Sequence, residues 1–339
     1  MKAVILAGGM GTRLKSVTGE HPKPMAPFLG RPLMEHIVGL LRENGFDEIC
    51  CTLRYRAGEI MAHFGDGSRF GVHMEYRIET EALGTAGGVK NCADFFGDED
   101  FLVISGDAAC DFSLSRLMEE HRASGAAATI ALCRSAQPLR YGLAVTDGAG
   151  DIRAFIEKPT WPRVVSDLVN TGIYALSPRA MAPVPEGPFD FGRDLFPLLL
   201  RQGERLHGAV LEGYWCDIGT PQAYYRCCAD ALDGKLRVTP GEQFVLPNEP
   251  PAKDAPEEGA CAECACRDRA ELMGALSELM LELGAEFDDG IRVHGGGYEL
   301  HISPSAARSA VRISVQAEDA EFAKALCISA HQVAEKLEM

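Results

Sequence analysis

MKAVILAGGMGTRLKSVTGEHPKPM, residues 1–25, carries the pattern on which the reading of the whole chain turns. Ala3 to Leu6 form a short apolar run of the kind that makes a buried strand. The run ends in Gly8, Gly9 and Gly11, Arg13 follows at once, and Lys23 stands between Pro22 and Pro24. Lacking a Cβ, glycine lets backbone N–H groups approach an anion closely. The stretch therefore reads as a strand feeding a turn that cradles phosphate beside two cations; a plain tight turn into a helix is the alternative. Two common phosphate loops do not fit. A Walker loop ends in Gly-Lys-Ser/Thr, which "GMGTRL" (9–14) lacks. The dinucleotide fingerprint wants a small residue where Leu14 stands and an acid about twenty residues later at a strand end.

Outward from this stretch, strand-like runs alternate with helical patterns up to about residue 235. The strands predicted include 48–55, 72–79, 100–107, 127–135, 152–159, 171–177 and one long strand over 207–219. Leu33, Ile37, Leu40 and Leu41 share a helical face, and Thr220 with Pro221 is a helix start. This alternation predicts an α/β fold, Rossmann-like, with a mixed but mostly parallel sheet. In such sheets ligands bind beyond the C-terminal strand ends. Three segments are expected: 1–235 as the α/β domain, 236–266 as a Pro/Glu/Ala-rich linker, and 267–339 as a small α+β domain. In the last, Leu272, Leu276, Leu279 and Leu283 are predicted to line one helix. Phe322, Leu326, Val333 and Leu337 are predicted to line the other.

The totals exclude several classes. Among 339 residues the net charge is −16, which argues against nucleic acid or an anionic membrane as partner. A phosphate site must then be a local basic pocket in an acidic body. No stretch approaches the ~18 apolar residues of a membrane span. The reading is a cytoplasmic protein whose 12 cysteines are mostly free thiols. Cys261, Cys264 and Cys266 lack the four-ligand spacing of a zinc site.

"LAGGMGTRL" (6–14) with "PKPM" (22–25) resembles the signature of the sugar-phosphate nucleotidyltransferases, and the likeness continues in order. "IETEALGTAGGV" (78–89) is similar to the base-reading segment of that family. "VISGD" (103–107) and "WCDIGTP" (215–221) resemble its two metal-Asp strands. "YGLAV" (141–145), "FIEKP" (155–159) and "VNTGIYAL" (169–176) resemble its sugar and sugar-phosphate sites. The resemblance implies transfer of a nucleotidyl group from an NTP to a sugar 1-phosphate, with release of pyrophosphate. No general base is needed, because a phosphate monoester with second pKa near ~6 is already mostly dianionic at neutral pH. The difficulty is electrostatic, since two anions must meet.

By this resemblance Arg13 and Lys23 are catalytic. Leu6, Ala7, Gly8, Gly9, Gly11, Thr12, Glu79, Gly84 and Thr85 hold the nucleotide. Gly142, Glu157, Lys158, Asn170 and Thr171 hold the sugar phosphate, and Asp107 and Asp217 hold Mg²⁺. The base-reading segment looks closest to guanylyltransferases, so GTP and mannose 1-phosphate are favoured. Glucose-1-phosphate thymidylyl or uridylyl transfer and heptose-1-phosphate guanylyl transfer are the alternatives. A homo-oligomer is compatible with this reading, and the rival from another class is a non-catalytic subunit that binds a sugar nucleotide. The tail from about residue 288 resembles the fourth domain of phosphohexomutases, with "SPSAARSAVR" (303–312) at its phosphate loop. Pro304, Ser305 and Arg312 match. Ser303 replaces the leading Arg, and Ala306-Ala307 replace Gly-Thr, so mutase activity is not expected. Arg308 and Arg312 are the cations left there.

Overall fold

The computed structural model describes residues 1–9, 11–135, 138–159, 164–241, 259–267, 269–281, 284–287, 290–295, 298–305, 310–317 and 320–338. They form two compact units. One comprises Met1–Cys133, Thr146–Ala154 and Asn170–Pro250; the other comprises Arg134–Val145, Phe155–Val169 and Pro251–Met339.

In the first unit the strand predicted from the opening residues, β1 (Lys2–Ala7), lies mid-sheet. It runs parallel to β2 (Glu48–Leu53) on one side and to β4 (Phe101–Ser105) on the other; β3 (His73–Ile78) adds parallel to β2. Ile5, Ile49 and Ile104 are fully buried, which explains why these strands read as unbroken apolar runs without alternation. Further along the chain are β5 (Ala108–Cys110), β6 (Ala128–Arg134), β7 (Leu168–Leu176), β8 (Leu206–Val210) and β9 (Trp215–Asp217). The sheet is mixed, because β7 meets β4 antiparallel with Ile173 opposite Ile104. The fold class is as the sequence implied.

Parallel register brings one set of strand ends to a common edge. Leu6 is opposite Ser105 and Ala7 opposite Leu53. The glycine turn after β1 therefore opens beside Gly106 and Asp107, and Gly106 N donates to Leu6 O at 2.8 Å. The long strand predicted over 207–219 is two strands. β8 is parallel to β6, whereas β9 pairs antiparallel with β5 in a separate ribbon. The break falls at Gly213, whose φ of +127° suits glycine alone. The helices Leu33–Glu43 and Pro221–Leu232 form as predicted, and Thr220 Oγ1 accepts from Ala223 N at 3.2 Å as the N-cap.

In the second unit Leu143 pairs antiparallel with Val169. Its C-terminal part is a five-stranded antiparallel sheet in the order Gly259–Ala265, Ala310–Ala317, Tyr298–Pro304, Ile291–Gly295 and Glu286–Phe287. The strand Gly259–Ala265 lies inside the stretch read as linker; its Ala and Cys content hid the strand pattern, and pairing with Ala310–Ala317 creates it. Two helix stripes are also corrected. On Ala320–Glu338 the buried side is Ala323, Cys327, Ala330 and Ala334, while Phe322 and Leu337 are exposed. Small side chains let the helix lie close to the sheet, with Leu326 and Val333 half-buried at the margin. On Arg269–Leu281, Leu272 and Leu276 are buried but Leu279 is exposed; Leu283 lies outside the described residues. Among the described residues no helix is long and apolar enough to cross a membrane.

Candidate active site

Gly9, Gly11, Arg13, Lys23, Asp107 and Gly219 line one pocket of about 200 Å³ at the common strand edge. Gly11 has φ +59°, a left-handed conformation, and a Cβ there would lie 2.7 Å from Lys23 Cβ. The third glycine thus serves two needs, the turn itself and the close approach of Lys23. Pro22 precedes the short 3₁₀ turn Lys23–Met25 and helps fix its backbone.

Lys23 is 9% exposed and bridges the two aspartates: Nζ lies 2.8 Å from Asp107 Oδ2 and 3.5 Å from Asp217 Oδ1. Both carboxylates are about one third exposed, and Asp107 lines the pocket. Ser105 Oγ donates to Asp107 Oδ1 at 2.7 Å. Asp217 reaches this point because β9 places it opposite Ala108, next to Asp107. Burial works to raise the Asp107 pKa, but the charge and hydrogen bond of Lys23 and the Ser105 hydroxyl bring it below the usual carboxylate range. Burial and the negative charge of Asp107 push Asp217 up, against the pull of Lys23 and Arg13. A Cβ on Gly219 would sit 3.1 Å from Asp217 Oδ2 and 3.6 Å from Arg13 Nη2, so this glycine makes room for both.

A neighbouring pocket of about 260 Å³ shares Leu6, Gly9 and Asp107 and adds Gly8, Thr52, Arg54, Glu79, Gly84 and Thr85. Glu79 is 9% exposed, and burial pushes its pKa up. Gly88 lets it in, since a Cβ there would be 2.6 Å from Glu79 Oε1. Thr85 is committed to structure: Oγ1 donates to Asp190 Oδ1 and accepts from Phe191 N at 2.9 Å. Gly84, at φ +70°, packs against the Phe189 carbonyl. What these two residues offer the pocket is consequently shape and backbone more than side-chain donors.

The remaining predicted residues divide. Asn170 Oδ1 accepts from Gly172 N and its Nδ2 donates to Tyr174 OH. The Thr171 hydroxyl, 3% exposed, turns inward and donates to Ala131 O at 2.7 Å. In the second unit a Cβ on Gly142 would lie 2.7 Å from Glu157 Oε2, so that glycine adjoins Glu157. Lys158 is exposed at φ +43°, its N–H donating to Tyr141 O. Leu6 and the buried Ala7 contribute backbone at the end of β1. The Thr12 side chain lies outside the described set, as do Ala306, Ala307 and Arg308. The retained tail residues Ser305 and Arg312 both bind Glu263 Oε1, at 2.7 and 3.4 Å, so an acid holds the donors a phosphate would need.

An edge of backbone amides, a lysine, an arginine and two carboxylates beyond parallel strands is a phosphate-handling centre in its chemistry. The nucleotidyl transferase family matches residues 2–234. The chain belongs to that family. Among curated relatives, UTP–glucose-1-phosphate uridylyltransferase of Synechocystis is 39% identical over 251 residues, 70% of this chain and 65% of its own length. Mannose-1-phosphate guanylyltransferase of Mycobacterium tuberculosis is 35% identical, over 72% of this chain and 69% of its own length. Among solved structures, HddC from Yersinia pseudotuberculosis complexed with GMP-PN is 30% identical, with a TM-score of 0.59, over 68% of this chain and 99% of that one.

Sequence reasoning missed four residues that shape these two pockets: Ser105, Arg54, Gly88 and Gly219. Ser105 sits two residues before Asp107, and Gly219 two after Asp217, so both were inside quoted motifs. Arg54 follows β2, and its place is legible only once β2 is known to neighbour β1.

Proposed function

We propose that the chain joins a sugar 1-phosphate to an NTP, releasing pyrophosphate, with GTP and mannose 1-phosphate as preferred substrates. The single observation that carries the reading is Lys23 held between Asp107 and Asp217 at the mouth of the glycine turn. Glycine amides and Arg13 bind the nucleotide phosphates, the planar guanidinium suiting the pyrophosphate end. Lys23 meets the charge that builds at the α-phosphate. Two hard carboxylates on one ammonium suit a divalent cation in the presence of substrate phosphates, so Asp107 and Asp217 would hold Mg²⁺. When bound there, such an ion would offset the negative charge of the substrate phosphates. The family resemblance assigns sugar hydroxyls to Glu157 and Asn170 and the sugar phosphate to Lys158.

Glu79 supports guanine. A carboxylate only accepts hydrogen bonds, and guanine offers adjacent N1–H and N2–H₂ donors. Uracil and thymine offer one N–H between two carbonyls, which a carboxylate repels. The Synechocystis relative keeps UTP with glucose 1-phosphate as the second reading. The test is pyrophosphate release across four NTPs, ITP and a panel of sugar 1-phosphates. GTP should exceed ITP, which lacks the 2-amino group, by about 10–100-fold in kcat/KM, and Glu79→Gln should erase most of that ratio. Faster turnover with UTP, or an unchanged ratio in the variant, overturns the guanine assignment.

A further inference from the structure

We infer that Asp111 is a positioning residue that sets Asp217 in place by clasping the chain just ahead of β9. The inference rests on the metal-holding role proposed above for Asp107 and Asp217. Asp111 follows β5 directly and its side chain is 6% exposed. Each of its carboxylate oxygens is used. Oδ1 accepts from Tyr214 N at 2.7 Å, and Oδ2 accepts from Arg237 N at 3.0 Å and Arg237 Nε at 3.2 Å. The Asp111 backbone N–H in turn donates to Tyr214 O at 3.2 Å, and Arg237 Nη2 donates to Asp111 O at 3.2 Å.

The Asp111–Tyr214 exchange extends the β5–β9 ribbon by one rung. The ribbon pairs Trp215 with Cys110, Cys216 with Ala109 and Asp217 with Ala108. It is only three residues long on each strand, too short to hold its own register firmly. A side-chain acceptor at its open end stops it from slipping, and a slip of one residue would turn Asp217 to the opposite face. Gly213 belongs to the same device: a Cβ there would meet Asp111 Oδ1 at 2.6 Å. Trp215 Nε1 donates to Thr171 O at 3.0 Å and tethers the same strand a second time. Asp111 touches neither Lys23 nor Asp107 in these bonds, so its influence on the centre passes through the placement of Asp217.

The experiment uses the full chain and Mn²⁺ as probe, with binding followed by electron paramagnetic resonance and amide hydrogen exchange read at Tyr214. Asp111→Ala should weaken Mn²⁺ about tenfold or more, the range for residues that orient metal ligands. It should also speed exchange at Tyr214. Asp111→Asn keeps an acceptor for Tyr214 N and should stay within about threefold of the parent for Mn²⁺, a rescue that a general packing role would not give. Gly213→Ala, which crowds the clasp without removing it, should move both readouts in the direction of Asp111→Ala and serves if that variant does not fold. Unchanged Mn²⁺ affinity in folded Asp111→Ala overturns the inference. If the parent protein itself binds no Mn²⁺, the metal reading of the two aspartates fails. The clasp is then judged on Tyr214 exchange, and an unchanged rate in Asp111→Ala overturns it.

Discussion

Lys23→Met tests the centre most directly. The substitution keeps an unbranched side chain of similar length and removes the ammonium that lies 2.8 Å from Asp107 and 3.5 Å from Asp217. Breaking a fully buried ion pair costs about 3–5 kcal/mol. Here both carboxylates reach solvent, so screening reduces the figure to about 1–3 kcal/mol. At roughly 2–4 °C per kcal/mol for a unit of this size, the melting temperature should fall by about 2–12 °C in metal-free buffer. A divalent cation replaces part of the lost positive charge, so the gap between variant and parent should narrow when Mg²⁺ and nucleotide are added. The kinetic effect should be larger than the structural one. A preorganised donor that meets developing charge contributes about 10²–10³ in kcat. Because that charge develops only in the transition state, kcat should carry the loss and the KM for NTP should move little. Steady-state pyrophosphate release and thermal unfolding, with and without Mg²⁺, measure both. A variant with kcat within about threefold of the parent would remove Lys23 from the chemistry.

Two other expectations follow from buried geometry. Gly11→Ala forces a side chain into a left-handed backbone, at about 1–2 kcal/mol, and against Lys23 Cβ at 2.7 Å. Its kcat/KM should drop by about 100-fold as Lys23 shifts, with only a few degrees lost in melting; equal activity would show that Lys23 is not held by this turn. His121 is buried between Thr129 Oγ1 at 2.9 Å and Ser177 Oγ at 3.2 Å, and burial holds its pKa below the ordinary 6.5 despite the pull of Asp100. The unfolded chain then takes up a proton that the folded chain refuses. Its stabilising contribution is present above about pH 6.5 and is lost as pH falls toward the depressed value, at up to about 1.4 kcal/mol per pH unit. Urea unfolding between pH 7.5 and 5 should show this slope flattened in His121→Gln; parallel profiles for the two proteins would refute it.

Much of this protein could be read before any coordinates. The unbroken apolar runs ending in glycine or Ser-Gly-Asp marked buried parallel strands, because strands buried on both faces leave no alternation to mislead, whereas the run ending in Cys-Asp proved to be two strands, the second antiparallel. That Lys23 and Arg13 gather at the glycine turn was also legible, since cations beside such a turn in a chain of net charge −16 call for an anion, and both line its pocket. Patterns resting on side-chain period alone were less secure. On the last helix Phe322 and Leu337 of the predicted stripe are exposed and Leu326 and Val333 only half-buried, whereas Ala323, Ala330 and Ala334 are buried. Hydrophobicity does not distinguish a stripe that packs closely from one that merely repeats.

The sequence alone determined the α/β class, the glycine turn and the identity of the charged groups, since each is a local property of a few neighbouring residues. Only the tertiary structure decided that Asp217 stands beside Asp107 with Lys23 between them, that Thr171 turns inward to Ala131, and that Glu263 holds Ser305 and Arg312. Those arrangements depend on strand register between segments far apart in the chain. Register is set by the packing of the whole sheet and by clasps such as Asp111, and no short stretch of sequence contains it.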